Sequence, residues 1–470
     1  MKKLVTTLWI LIIAGALFIS YSFLIAPNID NDDKQPETPS TQQPQTPAEK
    51  NENYSTLIRT GDDYFENDFF TEALAEYKKA LTRTPESKEA LFKVATTYLK
   101  DNKPERAREF LLQLRESHPS TEIDVLIGRS YLNQRDVEQA KTHFESLDYK
   151  DGNVKFYRGI IDILYKKYDA AKESLNGTED IRAKILLQAF AITESTSEPQ
   201  TSYTDTLFAK AFIDAEEYEA AIPLLFNAIN SQNDYRDSWV LLGYAYLKTG
   251  KYDDALDSFL QAKTLDPEKP ETLFFLGITY AVQDKLDDAI FYLEKAKIAG
   301  FEPEVQVRQK LGDIHLLQEE YDKAVKEYEK VTLLNPSDIT IFTKAVWASI
   351  EKLDKPHRAL GFGERAVIEH PDEAMSYNLR GWSYVAMGDY DKAKADLTRA
   401  LELDPNLPSA YLNIGWMFEK QGELKIAKEY YKKAYNLDDS GSISSIAVVR
   451  FNQITKKVIN SHFQADITSH

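Results

Sequence analysis

The sequence predicts an all-α chain, a solenoid of about eleven helix pairs preceded by one transmembrane helix. Three observations predict it. Small residues recur along most of the chain with a spacing near 34. An alanine follows these residues by twelve positions in almost every case. Residues 4–26 contain no charge at all. A fixed period in this range marks one supersecondary unit that cannot bury its apolar face alone, so neighbouring units must stack.

The first element is the uncharged run LVTTLWILIIAGALFISYSFLIA, Leu4 to Ala26, which at 23 residues matches the roughly 20 needed to span a bilayer as a helix. Lys2 and Lys3 precede it, and Asp30, Asp32 and Asp33 follow. The basic flank favours the cytoplasmic side, so the bulk of the chain is expected beyond the membrane, single-pass and extracytoplasmic at a cell envelope. A cleaved signal peptide is the competing reading. The run exceeds a signal h-region, and the A-x-A-like Ala14-Gly15-Ala16 lies in its middle.

A linker follows. Residues 27–50 hold Pro27, Pro36, Pro39, Pro44 and Pro47 among Gln, Thr, Ser and acidic residues, a composition that buries little apolar surface. The whole chain is acidic, with a formal net charge of -18 over 470 residues, which argues against nucleic acid as a partner. It has no cysteine, so disulfides, thiolate nucleophiles and Cys-ligated zinc are excluded.

From residue 54 the repeat begins. The first set of small residues is Gly61, Ala95, Gly128, Gly159, Ala209, Gly243, Gly277, Gly312, Val346, Gly381 and Gly415. The second is Ala73, Ala107, Ala140, Ala171, Ala221, Ala255, Ala289, Ala324, Ala359, Ala393 and Ala427. Ala359 falls one residue late, so that repeat carries one insertion. An aromatic often stands three after the first small residue, as in Tyr64, Tyr98, Tyr246, Tyr384 and Phe418. Proline often closes the unit, at Pro85, Pro119, Pro267, Pro336, Pro371 and Pro405. The clearest unit is 374–407, AMSYNLRGWSYVAMGDYDKAKADLTRALELDPNL.

This pattern resembles the tetratricopeptide repeat (TPR) family over about residues 54–441, and specifically its membrane-anchored bacterial members. The resemblance implies two antiparallel helices per unit, stacked into a right-handed superhelix with a concave binding face. The carboxylate clamp of co-chaperone relatives is missing from the first unit, where the matching positions are Ile58 and Asp62.

Two departures suggest divisions. Between Ala171 and Ala221 the step is 50 residues, with an extra helix expected at Asp180–Thr193 and a polar loop at Glu194–Ser202. Residues 443–463 look amphipathic and lack the pair of small residues, as a capping helix would. The expected organisation is an anchor at 1–26, a linker at 27–50, arrays at 51–201 and 202–441, and a cap and tail at 442–470.

No catalytic constellation stands out, and the chain reads as a non-enzyme without a cofactor. The seven histidines form no i, i+4 pair for zinc. Gly361-Phe-Gly-Glu-Arg-Ala366 matches a dinucleotide fingerprint only superficially, because it falls in a helix rather than after a strand. The candidate ligand-binding residues are instead Trp347, Trp382 and Trp416, each following the small residue of three consecutive repeats. In the TPR pattern that position faces the concave groove, where Phe92, Phe156, Tyr244, Phe274, Met375 and Leu412 are also expected. Two readings of the tryptophans stand: stacking that tightens the superhelix, or anchors for an extended peptide, an apolar helix or a sugar chain. Trp239 occupies a core position and is assigned to packing. The function expected is a membrane-tethered scaffold that binds partner proteins or peptides in the groove, with the lipid bilayer held by the N-terminal helix. The alternative is an accessory subunit of an envelope polysaccharide, peptidoglycan, pilus or secretion machine, with polysaccharide as the groove's occupant.

Overall fold

The computed structural model describes residues 47–196, 201–438, 443 and 445–455. The expected transmembrane helix at 4–26 lies outside them. Among the described residues no helix is long and apolar enough to cross a membrane, and every regular element is helical.

The chain divides into two compact units, which meet in sequence between Lys285 and Leu286. The first contains α1 (Pro47–Glu66), α2 (Phe70–Arg83), α3 (Lys88–Lys100), α4 (Pro104–Ser117), α5 (Thr121–Asn133), α6 (Val137–Glu145), α7 (Gly152–Leu164) and α8 (Tyr168–Asn176). It continues with α9 (Ile181–Ser195), α10 (Thr201–Asp214), α11 (Tyr218–Ser231), α12 (Arg236–Lys248), α13 (Tyr252–Leu265) and α14 (Pro270–Val282). The second contains α15 (Leu286–Ile298), α16 (Glu304–Leu317), α17 (Tyr321–Leu334), α18 (Ile339–Trp347), α19 (Pro356–Glu369), α20 (Ala374–Met387), α21 (Tyr390–Leu403), α22 (Pro408–Lys420) and α23 (Leu424–Leu437). Residues 445–455 add α24. The first helix begins at Pro47, inside the stretch expected as linker.

Each repeat is a helix pair, and its boundaries follow local chemistry. All six closing prolines stand two residues past the end of a second helix, where they cannot extend it. All eleven alanines of the second set are fully buried. The glycines of the first set leave room for a particular neighbour. A Cβ on Gly312 would stand 2.6 Å from the ring of Tyr328, and one on Gly243 would stand 2.7 Å from Phe259. The same holds for Gly61 with Tyr77, Gly128 with Phe144, Gly159 with Leu175, Gly381 with Leu397 and Gly415 with Tyr431. In each case the intruding side chain lies four residues after the unit's alanine. The glycine therefore admits a large buried side chain from the second helix, and the aromatic three residues after the glycine is not what fills that gap.

The insertion in the ninth repeat has a structural form. The turns Ala348–Lys352 continue α18 as a π-helix, with the Leu353 N–H donating to the Ala348 carbonyl at 3.0 Å. A π turn absorbs one extra residue without ending the helix. The extra helix in the 50-residue step is α9, capped by Asp180, whose carboxylate accepts from the Arg182 N–H. Phe190 on α9 meets Phe208 on α10 with ring centroids 4.7 Å apart.

The expected division between arrays, at residues 201 and 202, falls inside the first compact unit. Within that unit the turn between α10 and α11 meets α5 and α7 through Glu217. At the other end, Ala447 and Ile454 on α24 are fully buried in the cluster formed by Tyr411, Ala427, Tyr431 and Ala434.

Candidate functional site

First helices of consecutive repeats lie side by side in the second unit, α18 against α20 and α20 against α22. Each carries its tryptophan one residue after a buried small residue, Val346, Gly381 or Gly415. That register turns the indole partly off the intra-repeat contact. Trp347, Trp382 and Trp416 are all half-buried and pack on one apolar cluster that includes Phe342, Val346, Ala359, Phe362 and Leu379. The structure thus brings the three together on one face.

Their surroundings differ. Trp347 meets Tyr321 edge-on at 6.2 Å, and the Lys352 ammonium lies 5.4 Å from its ring. Lys420 and Arg450 lie 5.4 Å and 5.5 Å from the Trp416 ring. These cations cover part of each indole face. Trp382, the middle one, has no aromatic or cationic ring partner among the described residues.

Polar joints tie the same helices together, and the sequence reading had not singled them out. Asp313 on α16 accepts from Lys344 on α18 and from the Tyr328 hydroxyl, both at 2.8 Å. Lys310, one turn before Asp313, is half-buried, and loss of solvent pushes its pKa down despite the nearby carboxylate. Two repeats on, the Asn413 side-chain amide donates to Asn378 Oδ1 at 2.9 Å, and the Asn378 amide donates to the Ser409 hydroxyl at 3.1 Å. Both asparagines are nearly fully buried. A signal existed: Lys310, Lys344 and Asn413 each stand two residues before the small residue of their repeat. The face therefore alternates half-exposed indoles with fixed polar groups, which suits an extended chain carrying both apolar side chains and amide groups.

The other two candidates are placed differently. Tyr244 and Phe274 belong to the first unit and are each 3% exposed. Tyr244 packs edge-on against Tyr218 and Phe275, and burial pushes its hydroxyl pKa up. Phe274 sits against Phe275 at 5.6 Å. Neither lies on an open face, and the expected groove position Phe156 is also fully buried. Tyr244 is enclosed by Tyr218 and by Phe275 of the next first helix, and the Arg182 guanidinium lies 4.2 Å from the Phe156 ring. Trp239, assigned to packing, is half-buried, and its indole N–H donates to the Asn233 carbonyl at 2.9 Å. Gly361 and Gly363 both lie within helix α19, so no strand precedes them.

Paired helices, repeated buried alanines and an aromatic face on the first helices define a helical-repeat protein. The repeats are tetratricopeptide repeats. Family models of that description match residues 64–126, 206–270, 305–338, 374–407 and 408–440. Among similar curated proteins, protein bimA of Emericella nidulans is 22% identical over 62% of this chain and 32% of its own length. TPR repeat-containing protein YpiA of Bacillus subtilis is 25% identical over 49% of this chain and 47% of its own. TPR repeat-containing protein MJ1428 of Methanocaldococcus jannaschii is 25% identical over 51% and 45%. The chain thus spans between a third and a half of these relatives. Among solved structures, the APC/C hetero-tetramer Cut9–Hcn1 covers 85% of the chain and 96% of its own at 14% identity, with a TM-score of 0.32. YrrB, described as a TPR protein with an unusual peptide-binding site, covers 47% of this chain and 96% of its own at 17% identity, with a TM-score of 0.31.

Proposed function

We propose that the protein is a membrane-tethered scaffold that binds an extended segment of a partner protein on the first-helix face of its second unit. The observation that carries this reading is the row Trp347, Trp382 and Trp416, half-exposed on one cluster and interleaved with fixed polar joints. Rigid aromatic anchors beside satisfied polar groups are the usual make-up of a binding hot spot. Trp382 is the central anchor, since no aromatic ring or cation faces its ring among the described residues. The tether rests on the uncharged run 4–26 behind Lys2 and Lys3, which supports an extracytoplasmic position for the repeats at a cell envelope.

The test is Trp382→Ala, measured two ways. Wild type and variant are compared on arrays of peptides and of glycans, and by thermal unfolding. The binding reading expects peptide affinity to fall by at least about 2 kcal/mol with little change in melting. Loss of about 3–5 kcal/mol of stability with peptide affinity preserved would make the indole a packing element and refute the reading. Capture of glycans rather than peptides would move the protein to the polysaccharide alternative.

A further inference from the structure

In the first unit, one joint between repeats is completed by a group from far along the chain. In this fold the residue after a repeat's small residue comes close to the residue two before the next repeat's small residue. At two other joints the pair is complementary: Lys93 donates to Asp62 at 2.7 Å, and Lys344 to Asp313 at 2.8 Å. Between the third and fourth repeats the two positions are Arg129 and Tyr157. Neither supplies a carboxylate for the other. The joint is completed from far along the chain by Glu217. Its carboxylate accepts from the Tyr157 hydroxyl at 2.8 Å and lies 3.5 Å from Arg129 and 3.7 Å from Arg182. The Arg182 guanidinium is held over the Phe156 ring at 4.2 Å. Two residues on, Glu219 accepts from Arg135 at 2.8 Å and from Lys251 at 2.7 Å. Glu217 is 3% exposed and Glu219 is 4% exposed.

Two buried carboxylates on one short turn are costly unless each finds cations and hydrogen bonds. Here they find them mostly on α5, on the turn after it, on α7 and on the start of α9. Helix α9 makes the arrangement reachable. A single unpaired helix offsets the pairing, and the next repeat presents its turn to the face of the earlier ones.

We propose that the joint between the third and fourth repeats is a binding site for acidic peptides, which the chain keeps filled with its own turn Ala215–Glu219. The ligand class is a segment with two carboxylates two residues apart, as in Glu217-Tyr218-Glu219. An external segment gains the site only by displacing the internal one. Its apparent affinity is therefore lowered by the small fraction of molecules in which the turn is out. This inference concerns the first unit and stands apart from the tryptophan face.

The test uses the full chain and a fluorescein-labelled peptide of residues 212–222, FIDAEEYEAAI, followed by anisotropy. The wild type is expected to bind it weakly. Glu217→Gln with Glu219→Gln keeps the shape of the turn and removes both charges, so peptide affinity should rise at least about tenfold. Adding Arg129→Gln should cancel the gain, and the peptide FIDAEQYQAAI should not bind. Circular dichroism checks that the double variant stays helical. If it does not, Lys251→Gln loosens only the turn's own side, leaves Arg129, Tyr157 and Arg182 intact, and should raise affinity to a smaller degree. No gain in either folded variant, or equal binding of the glutamine peptide, would overturn the proposal.

Discussion

At Gly312 a missing side chain matters more than most that are present. The space beside it holds the ring of Tyr328, fully buried, whose hydroxyl donates to Asp313 at 2.8 Å. A methyl group added at Gly312 meets a ring that is fixed at both ends. Gly312→Ala should therefore destabilise the second unit by about 1–3 kcal/mol, the scale of core overpacking. Gly361 makes the matching control. It is exposed within α19, with nothing near the place of an added Cβ. Gly361→Ala should stabilise by about 0.5–1 kcal/mol through helix propensity. Urea unfolding of the two variants checks both signs, and equal effects would mean that steric room does not explain these glycines. The periodic small residues were legible because each sits at the same step of the repeat. The identity of the group they make room for was not, because it lies sixteen residues away on another helix and depends on how the pair packs. Tyr244 and Phe274 show the same limit. Their place in the repeat follows from spacing alone, whereas their burial depends on neighbours such as Tyr218 and Phe275.

Among elements, the turn between the two helices of a repeat has a shared conformation. The residue two before each second helix has positive φ: Gly250, Gly388 and Gly422 in three repeats, and Asp68, Asn102, Arg135, Lys166, Glu216, Asp284, Glu319 and Asp354 in the others. A left-handed conformation costs a non-glycine residue roughly 1–2 kcal/mol. Glu319, at φ 59, is exposed. Glu319→Gly should thus raise stability by about 0.5–1 kcal/mol after the entropy cost of glycine is subtracted. A rise in the urea midpoint with unchanged slope would confirm it, and a fall would show that the side chain contributes more than the backbone costs. Element boundaries were open to sequence reasoning because prolines and small residues mark them. The one-residue delay of Ala359 revealed an insertion but not its form, the π turn at Ala348–Lys352. The fold-back of the turn after α10 was hidden. It depends on pairs such as Tyr157 with Glu217, 60 residues apart, and no period links them.

For the whole molecule, the column of residues after each small residue is chemically mixed until its end. It reads Asp62, Thr96, Arg129, Ile160, Lys210, Tyr244 and Ile278 in the first unit, then Asp313, and only then Trp347, Trp382 and Trp416. The tryptophans were visible from sequence because a large aromatic at a repeated step is rare. The lysine, asparagine and glutamate joints were harder to see, since charged residues on helices are usually solvated. The proposed tether adds a prediction about the chain as a whole. Lys2 and Lys3 stand immediately before the uncharged run, and the flank beyond it is acidic until Lys34. Basic residues set orientation because they resist translocation, whereas acidic residues contribute little. Alkaline phosphatase fused after residue 50 should therefore be active in a bacterial host, while a fluorescent reporter that matures only in the cytoplasm should be dark. Lys2→Glu with Lys3→Glu should weaken that asymmetry, and moving the positive charge across the run by Asp32→Lys with Asp33→Lys should weaken it further. If the phosphatase fusion is inactive and the cytoplasmic reporter bright in the unaltered chain, the tether is oriented the other way, and the tryptophan face must find its partners inside the cell.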